Sequence, residues 1–101
     1  MAVRKSQEET FSVKGDTKEW LTKAEQALYK GGFTNIKINN LISQITGDYK
    51  KLYVWGEIIV TLLPEAGNVK INAKSTANSD NIFALFSSPN QKILQQFKNN
   101  F

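Results

Sequence analysis

The sequence predicts an α+β domain: a two-layer sandwich in which an antiparallel sheet of four to five strands carries an N-terminal and a C-terminal helix on one face. Two stretches with an apolar stripe at helical spacing, one near the start and one at the end, predict the helices. Stretches of alternating apolar and polar residues between them predict the strands. Packing both helices on the aliphatic face of the sheet buries all of these surfaces together. The predicted order is β-α-β-β-β(-β)-α.

The composition indicates one globular domain. The chain has 101 residues, 41% of them hydrophobic, which suits a single core. Residues 1–7 are polar and are predicted to form a flexible tail, and residues 8–101 one domain. The longest aliphatic run, residues 58–63, is far shorter than the roughly 18–20 residues of a membrane span, so no span is expected. The start lacks a signal-peptide pattern, which fits a cytoplasmic protein or an exported domain whose leader has been removed.

Two residue types are absent, and their absence limits the catalytic and metal chemistry that the sequence predicts. It contains no cysteine and no histidine, so it lacks thiolate nucleophiles, disulfides, the commonest general base and the commonest metal ligands. Its carboxylates show no shared catalytic spacing, and no phosphate-binding glycine pattern is present. The sequence therefore predicts a protein that is not an enzyme, with no catalytic residue, no metal site and no cofactor.

A short strand and a helix are predicted at the start of the domain. Phe11 and Val13 share one face of the strand. Asp16 is placed to cap the helix, with Glu19 three residues later. The apolar stripe of the helix consists of Trp20, Leu21, Ala24, Ala27 and Leu28. The glycine pair at 31–32 predicts a left-handed helix end, after which an aromatic side chain folds back onto the helix.

The next stretch changes its pattern part-way. Ile36 and Ile38 lie on one side of an alternating segment, but the parity flips after the asparagine pair at 39–40. Either a bulge lies at this pair or a turn divides two strands there. The dipeptide at 47–48, Gly-Asp, predicts a further turn.

Residues 52–63 predict a long strand with one aliphatic face. Its even positions are aliphatic except Gly56, which is interpreted either as a bulge or as a break between two strands. The aliphatic positions are Leu52, Val54, Ile58, Val60 and Leu62. Residues 64–68 predict a turn. The clean alternation that follows, with Val69 and Ile71 inward, predicts the second strand of a hairpin.

The end of the chain predicts a closing helix. Residues 79–86 are interpreted as a short helix or a loop. Ser88 is placed as a helix cap, with Pro89 at the first helical position and Gln91 completing the capping pattern. The apolar stripe of this helix consists of Ile93, Leu94, Phe97 and Phe101.

The candidate binding residues lie on the side of the sheet that faces away from the helices, which we call the outer face. The odd positions of the long strand point to this side, and the polar positions of the neighbouring strand join them. The predicted binding residues are Lys37, Tyr53, Trp55, Ile59, Lys70, Asn72 and Lys74.

Three interpretations of this outer face remain open. Tyr and Trp are favoured in strands, and lysines keep a sheet soluble, so the residues need have no binding role. Trp and Tyr are also enriched where a partner protein or a second copy binds. Aromatics and lysines on an open sheet also stack single-stranded nucleic acid. The net charge is only +4 and the single arginine is Arg4, which counts against sequence-specific DNA recognition.

The order of elements resembles that of TATA-binding-protein-like domains and of small uncharacterised bacterial domains that are often attached to exported or membrane proteins. The resemblance spans most of residues 8–101 and concerns layout and hydrophobic pattern, so no functional residue is carried over. The sequence thus predicts a small non-enzymatic interaction module that binds an unidentified protein or a second copy through the outer face. Nonspecific binding of single-stranded nucleic acid through the same face is the alternative.

Overall fold

The computed structural model describes residues 4–51, 54–78 and 89–101. Its elements follow the predicted order. They are β1 (Arg4–Lys14), α1 (Thr17–Lys30), β2 (Thr34–Asn39), β3 (Gln44–Lys51), β4 (Val54–Glu65), β5 (Asn68–Asn78) and α2 (Pro89–Asn99). The five strands form one antiparallel sheet in the order β1-β5-β4-β3-β2.

The two described helices pack on the same face of this sheet. α1 contacts β2, β3 and β4, while α2 contacts β1, β4 and β5. The helices also contact each other, so they form one layer over one layer of strands. The predicted two-layer α+β sandwich, with a terminal helix from each end of the chain on one face, is confirmed.

α1 begins and ends as its sequence predicts. The Asp16 carboxylate accepts a hydrogen bond of 2.7 Å from the backbone N–H of Glu19, which satisfies one of the free donors in the first turn. At the other end Gly32 has a φ of +84°. The Phe33 N–H then donates to the Leu28 carbonyl at 3.0 Å, which is the hydrogen bond of a Schellman end. Phe33 is thereby turned back towards α1 and buried.

The core lies between the helices and the inner face of the sheet. The even residues of β4 and the odd residues of β5 point to this side. The buried members from these two strands are Ile58, Val60, Leu62, Val69, Ile71, Ala73, Ser75 and Ala77, and those from the helices are Leu21, Ala24, Ala27, Leu28, Ile93, Leu94 and Phe97. The inward parity predicted for these strand positions and the predicted helix stripes are therefore confirmed, apart from the half-buried Trp20 and Phe101.

The parity flip at residues 39–40 marks a turn between β2 and β3. The Leu41 N–H donates to Asn39 Oδ1 at 3.1 Å, and Ser43 takes a φ of +49° before β3 begins. A register shift does occur in this hairpin, but it lies between Thr34 and Lys37. Of the two alternatives that the sequence left open at the asparagine pair, the turn is the one observed.

The turn predicted at Gly47 and Asp48 is wrong. Both residues lie inside β3, where they pair with Ile58 and Glu57 of β4. Gly47 is buried under α1, with Ile36 Cγ1 3.5 Å from where its Cβ would lie. Gly-Asp favours a turn only locally, and the ladder with β4 overrides that preference.

Gly56 is neither a bulge nor a break. β4 runs through it without a register shift, and it pairs with Tyr49 on one side and Ala77 on the other. A Cβ at this position would lie 2.8 Å from Ile93 Cδ1 and would collide with the Thr76 carbonyl oxygen. Glycine is therefore required because the backbone of the neighbouring strand β5 and the Ile93 side chain of α2 both lie too close for a Cβ.

β1 begins earlier than the sequence predicted. Residues 4–7, which were assigned to the flexible tail, belong to β1 and start with Arg4 opposite Asn78. β5 is long enough to offer backbone partners to them, which the sequence of the tail alone does not reveal. α2 begins at Pro89 as predicted. The predictions for Leu52, for residues 79–86 and for the Ser88 cap lie outside the described residues.

Candidate functional site

The structure brings together most of the predicted binding residues on the outer face. Because the even residues of β4 are buried, Trp55 and Ile59 point to the opposite side. One row of opposed residues crosses the sheet there: Lys37 opposite Thr46, Thr46 opposite Ile59, and Ile59 opposite Lys74. Cross-strand neighbours share a face, so these side chains form one surface. The predicted residue Tyr53 lies outside the described residues.

The middle of the outer face is held by hydrogen bonds between its own polar side chains. Asn72 Nδ2 donates to Thr10 Oγ1 at 2.9 Å and to Glu8 Oε2 at 3.3 Å. Thr61 of β4 stands opposite Asn72. Its Oγ1 accepts a hydrogen bond of 3.1 Å from Gln44 Nε2. The predicted binding residue Asn72 therefore uses its amide within the sheet, which suits a structural role more than a role in binding.

Among the residues that the structure describes, Trp55 is the exposed aromatic of the outer face. Its residue surface is 42% exposed, and Lys50 of β3 stands directly opposite. The Lys50 Nζ lies 6.0 Å from the centre of the indole ring, which is at the outer limit of a cation–π contact. The indole is thus flanked by a positive charge and available to a partner.

Charges of both signs share the outer face. Its described lysines are Lys14, Lys37, Lys50, Lys70 and Lys74, and its described carboxylates are Glu8, Asp48, Glu57 and Glu65. The two signs are interspersed along the strands. The outer face is therefore mixed rather than strongly basic.

A second exposed apolar group was missed by the sequence reasoning. Leu41 and Ile42 in the β2–β3 turn are 95% and 53% exposed, and Ile38 just before the turn is 38% exposed. Leu63 of β4 is 49% exposed on the outer face, opposite Lys70. The backbone N–H of Leu62 donates to Ser43 O at 2.9 Å, which holds this end of β4 beside the turn. The sequence signal that could have revealed this group is the pair of aliphatic residues directly after the asparagine pair at 39–40.

A surface cleft of about 590 Å³ borders the same turn. Its walls come from the end of β2, from the turn and from the start of β3: Lys37, Ile38, Asn39, Asn40, Leu41, Gln44 and Thr46. The cleft joins the outer face to the turn, because Lys37 and Thr46 belong to both. Only Lys37 among the predicted binding residues lines it.

Comparisons with known proteins identify a fold and leave the family open. No protein-family model and no curated protein sequence matches the chain. Among solved structures, a truncated norcoclaurine synthase from Thalictrum flavum matches with a TM-score of 0.69 at 10% identity, covering 98% of this chain and 91% of that one. Norcoclaurine synthase from Thalictrum flavum also matches, with a TM-score of 0.62 at 9% identity over 97% of this chain and 86% of that one.

These similarities concern the fold alone. The matching structures have a Bet v1-like fold, which agrees with the α+β arrangement of one sheet and covering helices. The resemblance to TATA-binding-protein-like domains finds no support in them. Both arrangements place helices on one face of an antiparallel sheet, so element order by itself did not separate them. Neither described helix is long and apolar enough to cross a lipid bilayer.

Proposed function

We propose that the protein is a non-enzymatic binding module that takes a partner protein on its outer face, with Trp55 as the anchor. The observation that carries the proposal is the exposed indole on a face that no described element covers. Tryptophan is enriched among the residues that dominate binding energies at interfaces. The proposal agrees with the function predicted from the sequence and makes it more specific.

The apolar residues on the outer face of β4 support a protein partner. Trp55, Ile59 and Leu63 follow one another at every fourth position of the strand, so neighbours lie roughly 13 Å apart. They are separated by Glu57 and Thr61, which are half-buried. A line of apolar contacts separated by polar ones fits an extended segment or a flat protein surface, which supplies many contacts over this distance.

The charges of the outer face favour a protein over single-stranded nucleic acid. Binders of single strands combine stacked aromatics with a groove that is positively charged throughout. Here carboxylates alternate with lysines, and Asp48 and Glu57 stand directly opposite each other beside the Trp55 end of β4. Phosphates would meet repulsion along this part of the face.

The fold similarity to norcoclaurine synthase does not lead us to a small-molecule function. One of the matching structures is a complex with dopamine and hydroxybenzaldehyde, which describes that enzyme. In the described part of this chain, the side chains between sheet and helices include Ile58, Val60 and Ile71, all fully buried. The exposed apolar groups lie outside that layer.

A retention experiment tests the proposal. Wild type, Trp55→Ala and Tyr29→Ala are immobilised at equal density and exposed to extract of the source cells, and retained proteins are quantified by mass spectrometry. Tyr29 is the matched control, because it is 63% exposed on α1 in the opposite layer. We expect a partner that is retained by wild type and Tyr29→Ala and whose affinity for Trp55→Ala is at least about tenfold weaker.

Two results would contradict the proposal. Equal retention of every protein by wild type and Trp55→Ala would remove the anchor role of Trp55. Quenching of tryptophan fluorescence by an oligo-dT strand at low salt, lost in Trp55→Ala, would show that the outer face binds nucleic acid.

A further inference from the structure

The sheet has one edge strand that is long and regular. β1 forms eleven consecutive pairs with β5, without a register shift, from Arg4 to Lys14. Among the described residues it has a strand neighbour on one side only, and its sequence contains no proline or glycine. A long regular edge strand presents a row of unpaired N–H and C=O groups that another strand can join.

The other edge strand is protected in several ways. β2 is only six residues long, and its register shifts between Thr34 and Lys37. Asn35 between them has a φ of +51°. Short length and irregularity are features by which edge strands avoid pairing. An added strand is therefore expected at β1.

The charges of β1 complement themselves when two copies run antiparallel. In a symmetric pair the two-fold axis is perpendicular to the sheet, so opposed residues lie on the same face. If the axis passes at Phe11, Glu8 lies opposite Lys14 of the second copy, and Thr10 opposite Ser12. Each of these pairs occurs twice, and opposite charges and hydroxyl pairs across strands are stabilising. Centring at Glu9 would instead oppose the two Glu9 carboxylates.

A surface cleft marks the same point of β1. It has a volume of about 340 Å³ and is lined by Glu9, Thr10, Phe11, Lys98 and Phe101. Phe11 is half-buried and meets Phe101 edge-on, with ring centres 5.9 Å apart. The Phe11 ring of a second copy would enter this cleft and complete the aromatic group. Glu9 is already paired with Lys98 at 2.8 Å, so its carboxylate is neutralised beside the cleft.

We propose that a second copy of this chain pairs antiparallel with β1, centred on Phe11, with Glu8 of each copy opposite Lys14 of the other. The two five-stranded sheets become one continuous ten-stranded sheet, with all helices on one side. Both outer faces then lie on the other side and stay open. The edge pairing is therefore independent of the partner site at Trp55.

Variants that exchange the charges of Glu8 and Lys14 test this pairing. Sedimentation of the full chain is measured from micromolar to millimolar concentration for wild type, Glu8→Lys, Lys14→Glu and the double variant. We expect a wild-type dimer whose dissociation constant rises at least about tenfold in each single variant, equivalent to about 1.4 kcal/mol, because like charges then oppose each other twice. The double variant restores dimerisation, since the pair is re-formed with its signs exchanged.

Two control variants locate the contact. Lys37→Glu changes a lysine on the other edge strand and leaves the dimer unchanged. Lys5→Glu lies on β1 but outside the seven paired residues and also leaves it unchanged. Circular dichroism checks the fold of each variant, and the double variant keeps the test valid if a single change unfolds the chain.

Five results would overturn the proposal. A wild-type monomer at every concentration would remove the interface. A dimer that is insensitive to both single changes would place the contact elsewhere, as would one weakened by Lys37→Glu. Weakening by Lys5→Glu but not by Lys14→Glu would indicate a pairing centred nearer the start of β1. Failure of the double variant, correctly folded, to dimerise would remove the Glu8–Lys14 pair.

Discussion

The half of the sheet under α2 and the half under α1 are built from the same alternation but differ in how closely the helix approaches. Under α2, a Cβ at Gly56 would lie 2.8 Å from Ile93 Cδ1, which real Cβ atoms do not tolerate without movement. Under α1, a Cβ at Gly47 would lie 3.6 Å from Leu28 Cδ1, an ordinary contact. The tight packing around Gly56 leaves the half under α2 little room to move. The looser packing around Gly47 leaves the half under α1 room to adjust.

The edges of the two halves differ in the same sense. β1, beside α2, is regular over its whole length and carries Phe11 and Val13 towards the core. β2, beside α1, is short and shifted in register, and its Ile38 remains partly exposed. The difference indicates that the α2 half provides most of the stability and the α1 half most of the adaptable surface.

The largest expected effect compares the two inward-facing glycines. Gly56→Ala should lower the free energy of unfolding by about 3 kcal/mol, because the added methyl group meets Ile93 and a backbone carbonyl that cannot move far. Gly47→Ala should change it by less than about 1 kcal/mol, since the space accepts a methyl group. Urea unfolding of both variants measures the difference. Equal losses would show that the two positions have equal room for a methyl group.

The next effect compares side chains on the two edge strands. Phe11→Ala should lower the free energy of unfolding by about 2 kcal/mol, less than for a fully buried phenylalanine because the ring is half-buried. Ile38→Ala should lower it by under about 1 kcal/mol, because that side chain is 38% exposed. Thermal unfolding at one low protein concentration separates these changes from dimerisation. A larger loss at Ile38 would reverse the assignment of stability to the two halves.

A smaller effect is expected in the opening of the edges. Backbone amides of β2 should exchange with deuterium at least about tenfold faster than those of β1, because a short, shifted strand opens more readily. Raising the protein concentration should slow exchange in β1 only, as the second copy covers its outer edge. Exchange followed by mass spectrometry resolves the two segments. Concentration-dependent protection in β2 would indicate that the second copy pairs with β2 and not with β1.

The smallest effect is expected at the β2–β3 turn. Leu41→Ser should change the free energy of unfolding by less than about 0.5 kcal/mol, because the side chain is 95% exposed. The buried residue Ile45, at the start of β3, provides the contrast. Ile45→Ala should lower the free energy of unfolding by about 3 kcal/mol. Chemical unfolding of both variants makes the comparison. A loss at Leu41 above about 1 kcal/mol would mean that the turn packs against another part of the molecule.

The fold was predictable from the sequence because its signals are local. The capping residue Asp16 and the glycine pair at 31–32 fixed the ends of α1, and alternation along β4 and β5 assigned each residue to a face. These features need only the nearest few residues. The same alternation placed Trp55 and Ile59 on the outer face, which is why that surface could be named in advance.

The remaining features depend on contacts between distant segments. Gly56 looked like a bulge or a break because its requirement comes from β5 and α2, which follow it in the chain and lie against it only in the folded structure. The Gly47-Asp48 dipeptide looked like a turn because its pairing with β4 is not visible in its own sequence. The exposure of Leu41 and Ile42 likewise depends on which elements lie over the turn. These features depend on tertiary contacts, which override the local preference of a residue for a turn, helix or strand.

The pairing of β1 with β5 has a consequence for how the chain folds as it is made. Lys14 pairs with Asn68 and Arg4 with Asn78, so β1 leaves the ribosome well before its neighbour β5 does. At roughly 5–20 residues per second of synthesis, β1 stays without its native partner for several seconds. Closing so long a loop also slows folding. The serine, threonine and glutamate side chains on one side of β1 keep the waiting strand soluble.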